Sequence, residues 1–170
     1  NPATITYSVT PTSGSCVGNT FTIIVTVNPK PSIANTTATI CSGMAFTITP
    51  VSGGGSANND IVPLGTNYSW AIPVSSPNGA ITGGSAGTNV LDFITQTLTN
   101  GTSLPATLTY NVTPKLGSCS GTPFTIIVTV NPSPAVTFSP TPQTICSGDN
   151  SVLVTLNSTT TGATFAWTAT

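Results

Sequence analysis

One stretch of this chain occurs twice, and a chain built from copies is constrained to fold as copies of one unit. Residues 2–11 return as residues 105–114, with Leu108 in place of Ile5 and Asn111 in place of Ser8. Gly14-Ser15-Cys16 returns as Gly117-Ser118-Cys119, and residues 21–29 return letter for letter as residues 124–132. A second echo follows each copy: Thr39-Ile40-Cys41-Ser42-Gly43 and Thr144-Ile145-Cys146-Ser147-Gly148. The period, roughly 100 residues, is the size of a small domain rather than of a solenoid turn.

The joints of the array carry paired prolines. Asn28-Pro29-Lys30-Pro31 and Asn131-Pro132-Ser133-Pro134 each follow a strand-like run. Two prolines in four residues hold the backbone extended and cannot donate ladder hydrogen bonds. Cutting there predicts three pieces: residues 1–30 as the end of one repeat, 31–132 as a complete repeat, and 133–170 as the start of the next. The segment is therefore expected to lie inside a longer secreted protein.

Within the complete repeat, polarity alternates with the period of a half-buried strand. Ala106, Leu108, Tyr110 and Val112 share one face, and Thr107, Thr109, Asn111 and Thr113 the other. Phe124, Ile126, Val128 and Val130 are expected inward, with Thr125 and Thr129 outward, after a hairpin that carries Cys119. Threonine on the wet face keeps β-propensity high without adding apolar surface. Further strands are predicted at residues 44–49, 68–72 and 90–98, with a Gly/Ser/Asn loop at 52–59. Many short strands and one Trp following a Cys predict an all-β fold, a tandem immunoglobulin-like β-sandwich. Trp70 and its counterpart Trp167 are expected in the cores of their repeats, as are Tyr7 and Tyr110.

Composition removes several functions. Charged residues make up 3% of the chain, and Arg, Glu and His are absent. A net charge of −1 offers no cluster of cations to displace counterions from nucleic acid or to dock on anionic lipid. No apolar run approaches the roughly 20 residues of a spanning helix. Without His or Glu a Ser or Thr nucleophile has no ordinary base, so no catalytic residue is assigned. Of the three acids, Asp60, Asp92 and Asp149, the last belongs to another repeat, and all three are expected to be solvated loop or cap carboxylates. Calcium would have Asn58-Asn59-Asp60, one acid and two amides, where six to eight oxygens are needed. No metal or cofactor is assigned. Lys30 in a linker and Lys115 in a hairpin are expected to be exposed rather than buried for isopeptide chemistry. Asn-x-Ser/Thr sequons at Asn35, Asn67, Asn100, Asn111 and Asn157 arise readily in a chain this rich in Asn and Thr.

Four cysteines among short Thr-rich strands indicate an oxidising compartment. The repeat boundaries suggest a bridge between Cys41 and Cys119, the two cysteines of the complete repeat. That bridge would close a loop of about 80 residues, worth about 4 kcal/mol in the chain-entropy model. Cys16 and Cys146 would then pair with cysteines of neighbouring repeats. The competing arrangement joins Cys16 to Cys41 and Cys119 to Cys146 across the linkers.

Taken together, Thr-Ile-Cys-Ser-Gly, the central Trp strand, Gln96-Thr97-Leu98-Thr99-Asn100, residues 109–114, residues 119–124 and the closing Val128-Thr129-Val130-Asn131-Pro132 resemble PKD-like repeats. In particular they are similar to the repeats of very large surface adhesins in gliding bacteria that use type IX secretion. The resemblance implies export to the bacterial cell surface, filament-like extension, binding to surfaces or transport by the gliding machinery, and no catalytic residues.

These readings converge on a non-catalytic, extracellular spacer or adhesive repeat, with neighbouring repeats of the same protein as its partners. Lateral self-association and a glycan or other surface ligand are further expected partners. A carbohydrate-binding accessory module of a secreted enzyme is the alternative from another class, and a row of exposed aromatics would favour it. A third option is a self-assembling filament in which residues 1–30 of one chain complete residues 133–170 of the next by strand donation.

Overall fold

Alternating apolar and β-branched residues become strands throughout the chain, and no helix occurs among the described residues. The computed structural model describes residues 2–55, 59–139 and 142–168. β1 (Ala3–Val9), β2 (Thr12–Ser13), β3 (Cys16–Val17) and β4 (Phe21–Val27) form one long hairpin, β1 antiparallel to β4 and β2 to β3. The central body follows, beginning with β5 (Thr36–Cys41), β6 (Ala45–Ile48), β7 (Asn67–Trp70), β8 (Val74–Ser76), β9 (Ile81–Thr82) and β10 (Gly87–Leu91). It continues through β11 (Ile94–Thr97), β12 (Thr99–Asn100), β13 (Ala106–Leu116), β14 (Cys119–Ser120) and β15 (Phe124–Asn131). A small antiparallel pair, β16 (Val136–Ser139) with β17 (Thr155–Ser158), comes last.

The central body is a two-layer β-sandwich. One layer has the order β10-β7-β13-β15-β5, with β8 and β14 also paired to β13. The other consists of the pairs β6–β11 and β9–β12. The long β13 is shared along its length. β7 takes Val112 to Lys115 and β8 takes Thr107 to Thr109, the break between them falling where Pro73 has no N–H to donate. Residues 90–98, expected as one strand, are two strands in opposite layers. Asp92 adopts φ 65°, and Phe93 N–H donates to Leu91 O at 2.7 Å, which turns the chain from β10 into β11. Asp tolerates that left-handed conformation better than most side chains.

The core follows the predicted faces. Ala106, Leu108, Tyr110 and Val112 of β13 and Phe124, Ile126, Val128 and Val130 of β15 are all buried. They meet Phe46, Ile94 and Leu98 from the opposite layer and Tyr68 and Trp70 from β7. Tilted and edge-on aromatic contacts tie the layers, with ring centroids 5.3 Å apart for Phe46–Tyr110 and 6.3 Å for Trp70–Tyr110. Every member of this core lies between residues 31 and 132, so that stretch folds around its own residues.

The repeated hairpin folds the same way both times. Ala3 faces Val27 and Val9 faces Phe21; in the second copy Ala106 faces Val130 and Val112 faces Phe124. Ser13 pairs with Cys16 at the first tip, and Leu116 with Cys119 at the second. Their surroundings differ. Tyr110 is 0% exposed and Tyr7 is 51% exposed, because β13 has the rest of its sandwich around it while β1 pairs with β4 alone. Each large side chain fully withdrawn from water contributes on the order of 1.5–3 kcal/mol, which only the second copy collects in full. Trp167, in residues 133–170, is 82% exposed in this chain, whereas Trp70 is enclosed within the complete sandwich.

β5 and β15, the first and last strands of the sandwich, lie side by side and run parallel, from Thr36 beside Ile126 to Cys41 beside Asn131. The chain therefore enters at one pole, here called proximal, and leaves at the opposite, distal pole. Pro31 is fully buried at the proximal pole, where a Cβ on Gly121 would come within 2.3 Å of the Pro31 carbonyl oxygen. The linker is seated against the sandwich at that point.

Candidate functional site

Cys16, Cys41 and Cys119 lie at the ends of strands, Cys146 lies in the connection between β16 and β17, and none of the four is in a disulfide. The expected Cys41–Cys119 bridge is excluded by the topology. Cys41 pairs in register with Asn131 at the distal pole, and Cys119 pairs with Leu116 beyond Phe124 at the proximal pole. The eight residues of β15 separate them, a span of about 25 Å at ~3.3 Å per residue. A disulfide needs its Cα atoms within roughly 7 Å. Sequence position placed both cysteines in one repeat; the parallel pairing of β5 with β15 sends them to opposite ends of it. Cys16 and Cys146 are exposed free thiols, so neither cross-linker pairing within this chain is formed.

The proximal pole also meets the preceding hairpin. Pro2 and Asn28, at the base of the β1–β4 hairpin, share a recess with Pro63, Leu64, Leu116 and Gly117. The tip of the second hairpin, where Cys119 lies, thus abuts the point at which the upstream strands end.

Inside the sandwich, polar groups serve to fix loops to strands. The Trp70 indole N–H donates to Ser85 O at 2.8 Å. The Gln96 amide donates to the same carbonyl at 2.9 Å, and its Oε1 accepts the Tyr110 hydroxyl at 2.8 Å and the Ser85 N–H at 3.0 Å. A Cβ on Gly87 would fall 2.4 Å from the Trp70 ring, so only glycine lets β10 lie across the indole.

Asn100, the asparagine of one of the sequons, is buried and organises the distal pole. Its amide nitrogen donates to Leu104 O and Val130 O, each at 2.8 Å, and its oxygen accepts the Thr102 N–H at 2.8 Å. The signal available in the sequence was Asn-Gly-Thr directly after a strand, a turn signature as well as a sequon.

Asp60, expected as a solvated loop or cap carboxylate, is buried rather than solvated and accepts the Ala34 N–H at 2.8 Å, fixing the segment before β5 to the stretch that ends at Ile61. Backbone bonds between Ser32 and Ile61 reinforce that attachment. Of the amides named with Asp60 as a calcium candidate, Asn58 lies outside the described residues and Asn59 is exposed. No group of three or more His, Cys, Asp or Glu close enough to hold a metal occurs among the described residues. Lys30 and Lys115 are exposed, as expected.

Burial, with Asp92 and Asp60 adding to it, pushes the Tyr68 hydroxyl up to about 12, and burial raises Tyr110 further. Both groups hold their protons more tightly in the folded state than in the unfolded chain, where tyrosine titrates near 10. Their stabilisation is therefore complete below about pH 10 and is lost as pH rises through the folded values. The melting temperature is expected to fall above pH 10, and Tyr68→Phe should flatten that fall in a circular-dichroism series. A melting temperature at pH 11.5 equal to that at pH 8 would contradict this.

A family model described as a PKD-like domain matches residues 1–31 and 38–134, most of the chain. No curated protein and no solved structure matches it. No helix among the described residues is long and apolar enough to cross a membrane.

Proposed function

Because the chain belongs to the PKD-like domain family, an extracellular immunoglobulin-like module, we propose that it is a non-catalytic spacer within a tandem array on a bacterial surface adhesin or filament. The observation that carries this reading is the doubled hairpin, formed twice in identical register and enclosed by its own sandwich in the complete copy. Such a unit can be repeated without changing its core. Entry and exit at opposite poles convert each added copy into added length. The seated Pro31 and the paired prolines of each linker limit bending between copies. Neighbouring repeats are then the principal partners, and the array holds a distal adhesive region away from the cell.

Sugar binding by the central sandwich has less support. Among its described residues one aromatic ring, Phe93, is exposed, where a stacking platform wants several in a row.

Small-angle scattering on chains of two, four and eight tandem copies of residues 31–133, one full period, tests the proposal. The overall length is expected to rise in proportion to copy number. Growth nearer the square root of copy number, the behaviour of freely jointed units, would overturn it.

A further inference from the structure

We infer that the cysteines form disulfides between consecutive repeats, the Cys41-type thiol of one repeat joining the Cys119-type thiol of the next across the proline linker. This rests on the tandem-array reading above. Each complete repeat carries one cysteine at each pole, too far apart to meet each other. Cys41 stands beside Asn131, the first residue of the outgoing linker, and the Ser42 N–H donates to Asn131 O at 2.8 Å. The equivalent of Asn131 in the upstream copy is Asn28, because residues 21–29 and 124–132 are identical. Asn28 lines the same recess as Leu116 and Gly117, and Leu116 is the register partner of Cys119. An upstream Cys41-type thiol, one strand over from Asn28, therefore arrives at the hairpin that carries Cys119.

The seated linker makes this approach reproducible. Pro31 is buried against Gly121, in the connection between β14 and β15, so the position of the incoming chain is tied to that of Cys119. Cys41 is exposed and Cys119 is half-buried, so an oxidant can reach both. Forming the bond removes two protons and two electrons from the two thiols. A disulfide oxidant of the exporting compartment accepts them and is reduced to two thiols. The linker and the bridge then make two covalent connections at every junction.

The test uses two tandem copies of residues 31–133, a stretch that contains its own core, refolded with oxidised glutathione as the oxidant. Of the four thiols, two are expected to stay titratable, and peptide mapping should join Cys41 of the first copy to Cys119 of the second. Cys41→Ser in the first copy should abolish the cross-link, and Cys119→Ser in the first copy should leave it intact. No free thiols, with each copy bridged internally, would overturn the inference. So would four free thiols in a folded chain, or a bridge from Cys119 of the first copy to Cys41 of the second. Scattering from the Cys41→Ser chain separates the two readings. A stiff rod without the bridge leaves the spacer standing, whatever the thiol count decides.

Discussion

Replacing Trp70 with alanine is expected to lower the unfolding free energy of the central sandwich by about 3–5 kcal/mol. The same replacement at Trp167 should stay within about 0.5 kcal/mol. The two residues stand at matching places in the sequence repeat, so the contrast isolates environment from residue type. Trp70 is 7% exposed, donates its indole N–H to Ser85 O, and lies between the Gly87 backbone and the Tyr110 ring. Removing it empties the end of the core where β7, β10 and β13 meet. Trp167 is 82% exposed and encloses nothing in this chain. Urea denaturation of both variants, followed by circular dichroism, measures the difference. Equal losses at the two positions would refute the account given of the core.

Asn100→Asp should cost about 2–4 kcal/mol at neutral pH despite near-identical shape. The substitution leaves no cavity, so the loss measures the exchanged hydrogen bonds together with the burial of a carboxylate charge. The amide nitrogen now bridges the carbonyls of Leu104 and Val130; a carboxylate would turn a third acceptor toward them. Val130 O would lose its side-chain donor inside the distal pole, at roughly 1–3 kcal/mol for a group left unsatisfied, while Leu104 O would keep the Thr102 hydroxyl. Lowering the pH to 3 should shrink the loss, because the protonated acid regains one donor. The denaturation midpoint of the variant against the parent at pH 7 and pH 3 is the measurement. A variant as stable as the parent at pH 7 would remove Asn100 from its assigned role.

The parts of this fold legible in the sequence are those set by local alternation. The inward faces of β13 and β15 follow from the Leu108-Tyr110-Val112 and Phe124-Ile126-Val128 patterns, and each strand buries the expected side. What escaped reading depends on which strands become neighbours. Nothing in residues 36–41 announces that they will lie parallel to residues 126–131, since the pairing spans the whole repeat. That one pairing decides how far Cys41 is from Cys119. The buried roles of Asp60 and Asn100 escape a sequence reading for a related reason. Their residue types suit exposed turns, and burial came from segments distant in sequence: Ala34 for Asp60 and Val130 for Asn100. Trp167 shows the converse, a side chain of core character that is 82% exposed in this chain.

The parallel placement of the first and last strands bears on how the sandwich responds when its two ends are drawn apart. The chain enters at the start of β5 and leaves at the end of β15, so tension pulls these adjacent strands in opposite directions along their own axes. Their six register pairs, from Thr36–Ile126 to Cys41–Asn131, then carry the load together in shear instead of parting one after another. A tether made of such units resists rupture through the breadth of a whole ladder.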